Sequence, residues 1–180
     1  TTPGIAAHRA HVAPMHEPGF ACIEVADSVT VFVVPHSGAA YPAPVADEGA
    51  LAVIRDRLDS TRMLTTRVFV ARPALRPVAV TAEITSGAGT QEEFLAQLRP
   101  ILSEYLHPTL GGPLGTGWPF GAALRPSELR RVADRALGET GRVGRVALRL
   151  TDIPDSTAED CTAVAIGPHD LVRLDQLSVI

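Results

Sequence analysis

The sequence predicts an α+β fold of two small strand–helix units with mixed sheets, preceded by an irregular N-terminal arm. Three observations predict it. Runs of β-branched residues stop at prolines, apolar positions recur at helical spacing behind good capping residues, and strands and helices alternate imperfectly toward an all-strand ending.

Residues 1 to 26 hold three His, three Pro and two Gly with no sustained periodicity, which reads as an irregular arm or linker that orders on partners. Residues 27 to 75 read as a strand–helix–strand unit. Ser28 to Val34 is rich in β-branched residues and stops at Pro35, as a buried strand does. Asp47 caps a helix whose Leu51, Ile54 and Leu58 share one face and which ends near Ser60. Thr66, Val68 and Val70 alternate with Arg67 and Phe69 in a second strand, and Pro73 to Pro77 reads as a turn.

Residues 76 to 180 read as a strand–helix–loop–helix–strand unit ending in a strand pair. Val78, Val80, Ala82 and Ile84 alternate with polar or small residues. Thr90 and Glu93 form a capping box that opens an amphipathic helix through Phe94, Leu98, Ile101 and Tyr105, with a kink expected at Pro100. A loop from Pro108 to Gly121 holds five Gly and the only Trp. Ser127 is expected to cap a third helix with Leu129, Val132, Ala136 and Leu137 inward, closed by Gly138 or Gly141. Arg145 to Leu150 reads as a strand. Thr162 to Ile166 and Leu171 to Leu174 read as the final pair around a Gly167–Asp170 turn.

Composition narrows the function. At 180 residues and 46% hydrophobic, the chain can bury one ordinary core or two small ones. A net charge of -4 argues against a nucleic-acid partner. All 16 basic residues are Arg, which excludes a lysine Schiff base and the lysine of a Walker loop. Cys22 and Cys161 make no disulfide framework or CxxC pair and read as reduced. No apolar run approaches the roughly 20 residues that span a bilayer, and no signal-peptide pattern opens the chain. Because it begins Thr1-Thr2-Pro3-Gly4 rather than with Met, it reads as a piece of something longer.

No constellation reaches the specificity of a catalytic or metal motif. His8, His11 and His16 lack a fourth ligand and a rigid platform, so they read as solvated or interface histidines. Ser103, His107 and Asp134 supply triad residue types without triad geometry. Glu92, Glu93 and Asp134 read as capping and solvated carboxylates. The loop at Gly111, Gly112, Gly115 and Gly117 is glycine-rich, but a phosphate cradle follows a strand and opens onto a helix, whereas this loop follows a helix. Its glycines permit an unusual backbone path, while Trp118 and Phe120, flanking Pro119, anchor it in a core or a partner.

The run Leu106-His107-Pro108-Thr109-Leu110-Gly111-Gly112-Pro113-Leu114-Gly115-Thr116-Gly117-Trp118-Pro119-Phe120-Gly121 resembles the hallmark loop of baseplate J-like proteins, the assembly proteins of contractile tails. Thr2-Pro3-Gly4, His8-Arg9-Ala10, Val29 to Pro35, Arg62 to Val70, Pro73 to Val80 and Gly167 to Leu174 are similar to the C-terminal region of that family. Pro100 departs from its pattern. The resemblance implies a bacterial wedge subunit with no catalytic residues, cofactor or metal. Its implied partners are other baseplate wedge and hub subunits and further copies of itself, with no nucleic acid and no direct membrane insertion. It implies assembly in the bacterial cytoplasm, a place within a contractile injection particle, and a link to the sheath. The competing expectation is a small ligand-binding or enzymatic domain using the 111 to 117 loop as a cradle.

Overall fold

The computed structural model describes residues 7–20, 23–37, 43–159 and 161–180, and these form three α-helices, a short 3-10 turn at Pro18–Phe20 and two mixed sheets. It is a small α+β fold. Two compact units divide between Ala74 and Leu75, the first drawn from 1–37 and 44–74.

The first unit is a three-stranded sheet in the order β1 (Ala7–Pro14), β2 (Ser28–Pro35) and β3 (Arg67–Ala71), with α1 (Glu48–Asp59) between β2 and β3 in sequence. β1 pairs antiparallel to β2, and β2 pairs parallel to β3, so β2–α1–β3 is a crossover unit. The segment expected to be an irregular arm therefore contains a strand. Its signal is missing because β1 is an edge strand with mostly exposed side chains. Only Ala13 in it is fully buried, so no apolar alternation marks it.

Asp47 caps α1 by accepting from the Ala50 amide at 2.7 Å. Leu51 then meets Val33, Ala46 and Val70 in a small core, with Val31, Ile54 and Leu58 packed around it. On the other sheet face Thr30 and Phe32 are buried, and His16 covers them. The Thr30 hydroxyl donates to the His16 carbonyl at 2.8 Å and lies 3.0 Å from Nδ1, which is placed to donate back.

The second unit holds β4 (Leu75–Gly87), α2 (Gln91–Tyr105), α3 (Pro126–Leu137), β5 (Gly141–Leu150), β6 (Ala158–Glu159) and β7 (Leu171–Val179). Its sheet runs β6-β5-β4-β7, with β7 parallel to β4 and the other pairs antiparallel. Val78, Val80 and Ala82 of β4 and Val146, Leu148 and Leu150 of β5 share a core with Phe94, Leu98 and Leu102 of α2 and Leu129, Ala133 and Leu137 of α3. The Thr90–Glu93 capping box forms in full, and Pro100 sits inside α2, where it leaves the Ala96 carbonyl without its helical donor.

Three local expectations are corrected. The turn expected at Pro73 to Pro77 is shorter, because β4 already begins at Leu75. Pro77 is tolerated there since its carbonyl accepts from Thr151, just past the end of β5, so its missing N–H falls where the ladder stops. Arg125, not Ser127, stands at the cap of α3, because Pro126 has the fixed φ that suits the first helical position. Thr162 to Ile166 is not a strand paired with the last one. Val164 makes a single bridge to Leu124, and β7 pairs instead with β4.

Candidate functional site

The glycine loop lies in the second unit, between α2 and α3. It winds back over the last turn of α2. The Gly112 amide donates to the Tyr105 carbonyl at 2.7 Å, and the Gly111 and Trp118 amides donate to the His107 carbonyl at 3.1 and 3.2 Å. Gly117 closes the loop on Gly111 at 2.8 Å, and Gly115 donates to Gly112 at 3.2 Å.

Gly111 and Gly112 require glycine for different reasons. A Cβ on Gly111 would stand 2.2 Å from the Glu104 carbonyl oxygen, so any side chain there would force the loop off the helix. Gly112 has φ of 76° and its Cβ would meet the Gly117 oxygen at 2.7 Å.

Trp118 is 1% exposed and belongs to the core of this unit. Its indole donates to the Ala122 carbonyl at 3.2 Å, and its ring meets Tyr105 edge-on at 5.8 Å. Burial pushes the Tyr105 phenol up. Pro119 is exposed, Phe120 is half-buried, and Leu114 at the loop apex is 84% exposed.

His107 and Asp170 hold the two ends of the loop. The buried His107 ring accepts at Nδ1 from the amides of Thr109 and Leu110, at 3.1 and 3.2 Å. At the exit, Gly121 donates to the Asp170 carbonyl at 3.0 Å. Arg76 bridges the Asp170 and Asp152 carboxylates at 2.6 and 3.0 Å, and hydrogen bonds to both raise its pKa.

This geometry bears directly on the phosphate-cradle alternative. A nest for an anion needs amides pointing at open space. Here the amides of Gly111, Gly112, Gly115, Gly117 and Trp118 all donate to carbonyls of the chain itself. The loop is a helix-end scaffold with an exposed apex.

The other candidates are scattered. His8 packs on His36 at 5.2 Å, His11 stacks on Phe32 at 6.4 Å, and His16 is held by Thr30. Among the described residues no group of three or more His, Cys, Asp or Glu side chains is placed to hold a metal. Asp134 accepts from the Val143 amide at 3.1 Å, and Glu93 is engaged in its capping box. Cys161 is free and exposed, whereas Cys22 lies outside the described residues.

No protein-family model matches the chain, and no curated protein matches it. Among solved structures it is similar to a chain of the cryo-EM structure of the anti-feeding prophage baseplate, 6-fold symmetrised, with a TM-score of 0.62 and 16% identity. The two share a fold. The likeness covers 95% of this chain and 34% of the other, so this chain spans about a third of that baseplate chain's length.

Within this fold, the residues that sequence reasoning missed are Arg76 and Asp170. They are brought together only by the parallel pairing of β4 and β7, so no local pattern marks them. His107 had a usable local signal, a His followed two residues later by Thr at a helix end.

Proposed function

We propose that this chain is a structural wedge subunit of the baseplate of a contractile injection system, assembling with other wedge and hub subunits and linking the hub to the sheath. The observation that carries the reading is the fold shared with part of a baseplate chain across 95% of the residues. The glycine-loop resemblance supports the same direction. On this reading the loop's chemistry is shape: its hydrogen bonds fix the backbone, Trp118 anchors it, and its exposed apex at Leu114, with the exposed Pro119 beyond the anchor, faces a neighbouring subunit. The chain needs no catalytic group, cofactor or metal for this work. Among the described residues no helix is long and apolar enough to cross a membrane. Assembly takes place in the bacterial cytoplasm and the subunit remains within the particle.

Deleting the gene in its host and imaging particles by electron microscopy tests this. The expected outcome is loss of particles with baseplates, restored by the wild-type gene, with a tag on the chain seen at the baseplate periphery rather than on the central tube. Intact, contracting particles in the deletion strain would overturn it.

A further inference from the structure

The β6 side of the second sheet ends in a strand too short to cover its neighbour. β6 has two residues against the ten of β5, and it pairs only with Ala147 and Leu148. In an antiparallel ladder, alternate residues turn both backbone groups to the same side. The Thr151 amide donates to the Pro77 carbonyl in β4, so Leu150 turns the other way, and by the same alternation Glu159 turns away from β5. Backbone groups left in this position are a template on which another chain can lay a strand.

Side chains meet them instead. The Ser156 hydroxyl accepts from the Leu150 amide at 2.9 Å and lies 3.1 Å from the Leu150 carbonyl. The Thr162 hydroxyl accepts from the Glu159 amide at 2.9 Å and donates to the Glu159 carbonyl at 2.8 Å. Farther along β5, beyond the register shifts between Glu83 and Ser86 of β4, the Val143 amide donates to the Asp134 carboxylate at 3.1 Å. The Val143 carbonyl accepts from Arg130 Nε at 3.2 Å.

One such contact is an ordinary turn feature, since Ser and Thr hydroxyls readily bond nearby backbone. Three on one side of a sheet, supplied by α3 and by two separate turns, have a common effect. An incoming strand finds donor and acceptor already engaged at Val143, Leu150 and Glu159. Pairing there would break bonds already made and leave a displaced hydroxyl or carboxylate to be buried without a partner. We propose that Ser156, Thr162, Asp134 and Arg130 seal this edge against the addition of a strand from another chain. In any assembly the edge then offers side chains and no backbone ladder. The inference stands apart from the baseplate reading, because a seal acts on the free chain whatever particle it enters.

The test compares the purified wild type with a Ser156→Ala, Thr162→Val, Asp134→Ala triple variant and with Thr162→Val alone. Sedimentation velocity over a concentration series reads association, and hydrogen exchange over residues 141–162 reads where it occurs. Thr162 is exposed on a turn, so the single variant should stay folded. The triple variant should associate roughly tenfold or more tightly than wild type, the equivalent of one or two net hydrogen bonds, and exchange over 141–162 should slow as concentration rises. Thr162→Val should move both readouts the same way by less. A Thr162→Ser, Asp134→Asn pair keeps a hydroxyl and a carbonyl acceptor in place and should match wild type. Folded variants that associate no more than wild type would overturn the proposal. So would association that leaves exchange over 141–162 unchanged, or a Ser and Asn pair that associates as the triple variant does. If the triple variant unfolds, Thr162→Val decides by the same two readouts.

Discussion

The two units of this chain solve the problem of burying a sheet differently. In the second unit, one face of four strands is covered by two helices and a loop, and the core runs continuously from Val78 through Leu98, Trp118 and Leu129 to Leu148. In the first, one helix covers three strands, and the buried cluster on that side is Val33, Ala46, Leu51 and Val70. Stability follows buried apolar area, so the second unit should hold the chain's slowest-exchanging amides and the first should open at lower cost. The general lesson is that an irregular loop can belong to the better-packed half when its backbone hydrogen bonds are internal.

The comparison breaks first at Trp118. Trp118→Ala should cost roughly 3 to 5 kcal/mol, read as a lower denaturant midpoint, with faster hydrogen exchange confined to residues 75–180. An unchanged midpoint would mean that the loop contributes nothing to the core. Gly111→Ala should come next, at the upper end of the ~1 to 3 kcal/mol typical of overpacking, because its Cβ would meet backbone that cannot swing away. Leu51→Ala probes the smaller core and should cost about 2 kcal/mol, with β2 and β3 losing exchange protection while β4 and β5 keep theirs. If β2 amides in the wild type exchange as slowly as those of β4, the contrast between the units fails.

Two smaller effects sharpen it. Asp47→Ala removes the α1 cap and should cost about 1 kcal/mol, visible as faster exchange over residues 48–52. Burial, helped by the charge of Arg9, lowers the pKa of His11. The folded chain then takes up that proton less readily than the unfolded chain does. The resulting stability is complete above the unfolded value of about 6.5 and is lost as pH falls below it. The first unit's exchange protection should therefore decline on acidification from pH 7, and His11→Asn should flatten that decline.

What was legible in the sequence was what local chemistry decides. Asp47, Thr90 and Glu93 announce helix starts because each cap forms between residues three apart. β2 shows in its β-branched run because its residues are buried on both faces of the sheet. The rest depends on distant partners. β1 carries no alternation, since its pairing rests on backbone bonds at an exposed edge. Val164 looks like strand material because it is buried, yet its one bridge is to Leu124. At the loop, the glycines and Trp118 stood out by type, but the reason Gly111 is glycine, the closeness of the Glu104 carbonyl, exists only after the chain has turned back.

The parallel pairing of β4 with β7 is a contact between residues far apart in the chain. Leu75 partners Leu171 and Ala82 partners Val179, so one long side of β4 finds its neighbour only after both helices and β5 have been made. Closing so wide a loop is entropically costly, and contacts of this range slow folding. The β2–α1–β3 crossover, made from nearer residues, can form while β4 still waits with an open edge. For that interval one edge of β4 is open to pairing with other chains, so the rate at which β7 docks sets how long a newly made chain is exposed to aggregation.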